Sequence, residues 1–135
     1  MRTTSLFILA AAFVLLTAVV PAGAHHSFAA QYDRNKPVTL TGPVTKVDWI
    51  NPHARIFMDV KEESGKVVNW EIELGAPAIL MRNGWTRTAV KIGETVTVNA
   101  SLAKDGSNLA NASTVTLADG KRVFAGSSAG DAQTK

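Results

Sequence analysis

No cysteine occurs among the 135 residues of the chain. That excludes a disulfide framework and a thiolate metal site, so an oxidising compartment would neither help nor harm the fold. Net charge is also small, at +3 with histidine neutral. The basic residues are scattered rather than clustered, which implies no polyanionic partner, and a domain without a basic groove is not expected to bind nucleic acid. Histidine occurs only three times and tryptophan three times. Motifs of nucleophilic or phosphate chemistry are missing: there is no Gly-x-Ser-x-Gly and no phosphate-cradling glycine loop. Beyond residue 24 no apolar run is long enough to span a bilayer.

The start of the chain is apolar and organised. Arg2 gives a basic beginning, residues 6–20 are apolar except for Thr17, Pro21 breaks the run, and Ala22-Gly23-Ala24 follows. This order is that of a cleavable secretory signal peptide cut after Ala24, and the apolar core is short for a membrane anchor. The expectation is an exported, periplasmic protein with no membrane span once it is processed. Removing 24 of the 135 residues leaves 111, about the size of one domain with a single modest core. Lys+Arg then falls from 14 to 13 against 11 Asp+Glu.

Along the mature chain, residues 25–36 are mixed and polar. They read as an N-terminal arm with at most one helical turn, in which Phe28 and Tyr32 are spaced to meet. Residues 38–44 alternate apolar and polar, and the apolar parity shifts after Lys46 to Val47 and Trp49. A bulge or bend in the first strand is expected, with Gly42-Pro43 as its site. Asn51-Pro52 ends this run. Ala54, Ile56, Met58 and Val60 mark a second strand, and after the Ser64-Gly65 turn Val68, Trp70, Ile72 and Leu74 mark a third. Pro77 suits a first helical turn and Asn83-Gly84 a stop, so a short helix is expected between strands three and four. Val96, Val98 and Ala100 mark strand four, and residues 111–117 strand five. Asp119-Gly120 is a hairpin signal before residues 121–124, and residues 125–135 have the small, polar composition of a disordered tail.

Three meandering strands, a short helix and two further strands is the order of a mainly β, OB-like five-stranded antiparallel barrel carried by residues 37–124. A small antiparallel sandwich without the helix is the competing architecture.

The chemistry centres on histidine. Cleavage after Ala24 would make His25 the first residue, with its α-amine beside its own imidazole, and the two can chelate one metal ion. The amine has a pKa of about 7.7–8.0 and imidazole about 6.5, so a cation competes well for both near neutrality. His26 adds a third nitrogen, and His53, on the turn between strands one and two, could complete the set. Such donors suit Cu(II) best among first-row divalent ions. The plainer alternative makes His25 and His26 a polar start and His53 a loop residue. Glu71 and Glu73 share the outer face of strand three, where solvated carboxylates lack the cleft that acid/base work needs, so no enzyme is expected. Trp70 reads as core, Trp49 and Trp85 as caps or pocket walls at the barrel ends, and Phe57 as a surface aromatic.

Taken together, His25-His26-Ser27-Phe28, Pro37-Val38-Thr39-Leu40-Thr41-Gly42, Trp49-Ile50-Asn51-Pro52-His53, Gly84-Trp85 and Val115-Thr116-Leu117-Ala118-Asp119-Gly120 resemble a family of small exported bacterial proteins of unknown function. The resemblance covers nearly the whole mature chain. It implies a Gram-negative periplasmic setting and no particular activity. Pro43 departs from the pattern, which bears on the straightness of strand one rather than on any site. The functional expectation is a binding module with a copper site at His25, His26 and His53. The alternative is an accessory domain that docks an envelope protein partner without metal.

Overall fold

A computed structural model describes residues 28–126. One helical turn, residues 28–31, leads into strand β1 (Tyr32–Asp48). Then follow β2 (Arg55–Lys61), β3 (Val67–Glu73), helix α1 (Pro77–Arg82), β4 (Thr95–Ala103), β5 (Leu109–Thr116) and β6 (Arg122–Phe124).

The long strand β1 serves two partners. From Tyr32 to Pro43 it pairs with β4, and from Val44 to Asp48 it pairs with β2. This change of partner at mid-strand is what lets a sheet coil back on itself. Strands β2 and β3 pair antiparallel, as do β4 and β5, and β3 then pairs in parallel with β5. The ring β1–β2–β3–β5–β4 is thereby closed, and β6 hangs on β5 as a sixth, short strand. The fold is thus the expected OB-like barrel with its helix between strands three and four. The pairing that closes it is parallel, where an all-antiparallel barrel was expected.

The anticipated irregularity in β1 is present, but it lies between Val44 and Lys46, just beyond Gly42-Pro43. Gly42 has another duty. A Cβ there would lie 1.9 Å from the Asp59 carbonyl oxygen, so only glycine lets β2 pass this close to β1.

Inward residues of all five barrel strands, among them Leu40, Val44, Ile56, Met58, Ile72, Val96, Val98 and Val115, form one buried cluster with Leu80 of α1. The helix starts on Pro77 and ends at Asn83, whose amide donates to the Ile79 carbonyl at 2.9 Å. Trp70 packs half-buried against the core. Trp85 is buried, donates from Nε1 to the Phe124 carbonyl at 2.6 Å, and is met by Trp49 at 6.4 Å between ring centroids.

Two segments extend past their expected limits. The first strand begins at Tyr32, inside the span read as an arm, because residues 32–33 pair with Leu102 and Ala103 of β4. Ala125 and Gly126, read as the start of the tail, are buried against the β3–α1 junction. There the Gly75 N–H donates to the Ala125 carbonyl at 2.8 Å. No helix among the described residues is long and apolar enough to cross a membrane.

Candidate functional site

His53 is placed by the residue that follows it. Ala54 is buried and exchanges backbone hydrogen bonds with the end of β3, accepting from Leu74 N–H at 2.8 Å and donating to the Gly75 carbonyl at 3.1 Å. That stitch sets the half-buried His53 beside Glu73, with Nδ1 3.3 Å from Oε1.

Glu73 is the centre of the arrangement. It stands opposite Arg55 of β2 on one side and Asn111 of β5 on the other, and directly paired residues share a face of the sheet. Asn111 Nδ2 donates to Glu73 Oε1 at 3.0 Å, and Arg55 Nη2 lies 3.9 Å from Oε2. Arg55 Nη1 donates to Glu71 Oε1 at 2.6 Å. One guanidinium therefore stands between two carboxylates.

The expectation of a solvated acidic face fails at Glu73, which is only 7% exposed. Alternation along β3 correctly puts it on the outer face. There its carboxylate is enclosed by Asn111 from the paired strand β5 and by Tyr32 at the start of β1, a residue that is itself 2% exposed. Burial first, and then the nearby Glu73 charge, push the Tyr32 phenol above its ordinary value of 10.0. Its hydroxyl is buried without a hydrogen-bond partner among the described residues.

The entry of the chain is fastened at the same place. Phe28 packs on Tyr32 at 5.4 Å between centroids, and the Arg34 guanidinium lies over the Phe28 ring at 4.9 Å. Lys104 Nζ donates to the Ala29 carbonyl, and the Lys104 N–H donates to the Gln31 carbonyl at 2.9 Å. His25 and His26 lie outside the described residues, immediately before this turn. Among the described residues no group of three His, Cys, Asp or Glu side chains could hold a metal ion. His53 alone is one ligand and not a site.

Four members of the cluster carry no distinguishing signal in the sequence: Tyr32 lies in the polar arm, Arg55 and Asn111 in strands, and Glu73 on an alternating acidic face. The one available signal was the parity of β3, which aligns Glu71 with Glu73 but cannot reveal what covers them. Phe57, directly paired with Glu71 on β3, is half-buried under Lys46, whose Nζ sits 4.8 Å from the ring centroid.

Residues 12–112 match the profile of a family of unknown function, DUF6152. The chain belongs to this family. No curated protein and no solved structure matches it. The span that defines DUF6152 here takes in Tyr32, His53, Arg55, Glu71, Glu73 and Asn111, and it ends before β6 begins.

Tyr32 makes a testable contribution to the stability of this DUF6152 barrel. Above the ordinary phenol value of 10.0 the unfolded chain gives up a proton that the folded chain retains. Stability is therefore full below that pH and falls as pH rises past it. Tyr32→Phe is expected to flatten this alkaline limb in denaturant unfolding measured from neutral to high pH. Tyr32 is the only tyrosine in the chain, so tyrosinate absorbance reads its ionisation directly.

Proposed function

We propose that this protein is a periplasmic OB-like binding module that holds Cu(II) through the α-amine and imidazole of a processed His25, with His26 and His53 as further nitrogen donors. Export rests on the basic start, apolar core and Ala22-Gly23-Ala24 of the first 24 residues. The observation that carries the metal reading is the position of His53. It lies beside a buried carboxylate in the cluster over which the chain enters through Phe28 and Tyr32. His26 is two residues ahead of Phe28 in the sequence.

The electrostatics support a cation. Glu71 and Glu73 share the single guanidinium of Arg55, which leaves a carboxylate in excess. An all-nitrogen donor set without thiolate favours Cu(II) over softer Cu(I). The role is binding rather than catalysis.

Isothermal titration of correctly processed protein with Cu(II) tests the reading. One ion per chain is expected, with binding lost in a His25→Ala, His26→Ala double variant and weakened in His53→Ala. Equal affinity in wild type and the double variant overturns it. N-terminal sequencing of periplasmic protein should begin His-His-Ser-Phe.

The runner-up, docking of an envelope protein without metal, is favoured by Ile50. This large apolar side chain is 54% exposed next to Trp49. Ile50→Ser would then abolish capture of the partner, whereas the copper site would be indifferent to it.

A further inference from the structure

We infer that the groove on the outer face of β1 and β4 is a binding site for a neutral saccharide. The site is separate from the histidine cluster and does not depend on the copper reading.

The groove encloses about 300 Å³ and is lined by Thr39, Asn99, Ser101 and Ser113, with Pro37 and Ala100 as apolar parts of its wall. It exists because the sheet is irregular on both sides of the same stretch of β4. On one side the β1–β4 register slips between Asp33 and Pro37. On the other, Asn99 pairs with Thr114 while Ala100 pairs with Ala112, so Ser113 is an extra residue on β5. A bulge of this kind bends its strand and re-aims a side chain, and bulges gather next to functional sites. Here the Ser113 hydroxyl donates to the Asn99 carbonyl at 3.1 Å.

The polar groups of the groove are held in place by the sheet itself. Asn99 is fixed from both neighbouring strands: its Oδ1 accepts from Thr39 Oγ1 at 2.9 Å, and its Nδ2 donates to Thr114 Oγ1 at 3.0 Å. After these bonds the Asn99 amide retains a second N–H, the Thr39 oxygen can still accept, and Ser101 adds a hydroxyl that can do both. Groups fixed in advance lower the ordering cost of binding.

The chemistry of the lining selects the ligand. No charged side chain lines the groove, in a chain where 19% of residues are charged. An anion or cation would lose hydration there without meeting a counter-charge. An extended peptide is equally unsuited, because main-chain recognition needs an open strand edge and β4 is paired on both sides, with β1 and with β5. What fits is an uncharged ligand whose groups both donate and accept, as sugar hydroxyls do, with a C–H face to lie against Pro37. The volume is at the lower limit for ligand sites, which suits one sugar ring.

Titration of 15N-labelled protein with N-acetylglucosamine and with glucose, followed by proton–nitrogen correlation spectra, tests the site. We expect shifts centred on Thr39, Asn99, Ser101 and Ser113, with a Kd of about 1 mM for a ligand of this size. Glucuronate and protonated glucosamine are the charged controls and should bind more weakly. Thr39→Val keeps the shape of the side chain but removes its acceptor and the bond that fixes Asn99, and should weaken binding about 3- to 10-fold. Ser101→Phe fills the groove and should abolish binding.

Absence of a response to both neutral sugars overturns the proposal. So do shifts centred elsewhere, such as around Phe57 on β2, or binding of glucuronate as tight as that of glucose. Unchanged affinity in a folded Ser101→Phe variant overturns it as well. The wild-type shift map needs no variant to fold.

Discussion

Protein that carries a tag of several residues ahead of His25 is expected to bind Cu(II) at least on the order of 100-fold more weakly than processed protein. An amine and an imidazole on the same residue close one chelate ring, and an internal histidine has no such amine to offer. Outer-shell partners alone are worth about 10- to 100-fold in affinity, and loss of a nitrogen bonded to the ion should exceed that. Titration calorimetry gives the affinity, and the electron paramagnetic resonance spectrum of bound Cu(II) gives the number of nitrogens. Identical affinity and spectrum in tagged and processed protein would remove the α-amine from the donor set.

The second large effect concerns the barrel itself. Gly42→Ala is expected to destabilise the fold by about 3 kcal/mol or more and to lower the Tm by about 15 °C, measured by thermal unfolding. The added methyl would sit 1.9 Å from the Asp59 carbonyl oxygen and 2.9 Å from its carbon, both main-chain atoms that no rotamer change can withdraw. Relief requires β1 and β2 to part where β1 passes from one partner to the other. Since a domain of this size is held by only about 5–15 kcal/mol, such a loss takes a large share of the total. A Tm within about 2 °C of wild type would mean that the strands separate easily at this crossing.

Much of the barrel is legible in the order of its residues, and the exceptions have physical causes. Ile72 and Val98 alternate with polar neighbours, Ile56 and Met58 with Arg55, Phe57 and Asp59, and all four are fully buried, as period-two patterning requires of a half-buried sheet. Pro77 and Asn83-Gly84 bracket α1 for equally local reasons. Residues 33–36 are different. They run polar through a stretch where the β1–β4 register shifts between Asp33 and Pro37, so nothing in their own composition announces a strand. Tyr32 and Asp33 pair with Ala103 and Leu102 at the far end of β4 and so carry the strand across the register shift to Pro37. The bulge shows the same limit on a smaller scale: Gly42-Pro43 signals trouble, while the register slips between Val44 and Lys46.

The candidate cluster was less legible than the fold. His53 stands out by scarcity, but its neighbour Glu73 is 20 positions away in sequence and looks like any carboxylate on an outer face. Only the backbone exchange between Ala54 and the Leu74–Gly75 segment brings the two together. What buries Glu73 comes from still further away, from Asn111 on β5 and Tyr32 on β1.

The parallel pairing of β3 with β5 has a consequence for how the molecule assembles. Hairpins such as β2–β3 can form from neighbouring segments, whereas the Glu73–Asn111 contact spans 38 positions and carries the loop-closure penalty of a distant pairing. A chain in which only the first three strands have come together has Arg55 opposite Glu73 but no amide beside the carboxylate. The environment of Glu73 is completed by the closing of the ring, so a spectroscopic probe at His53 would distinguish the finished barrel from a half-built meander during refolding.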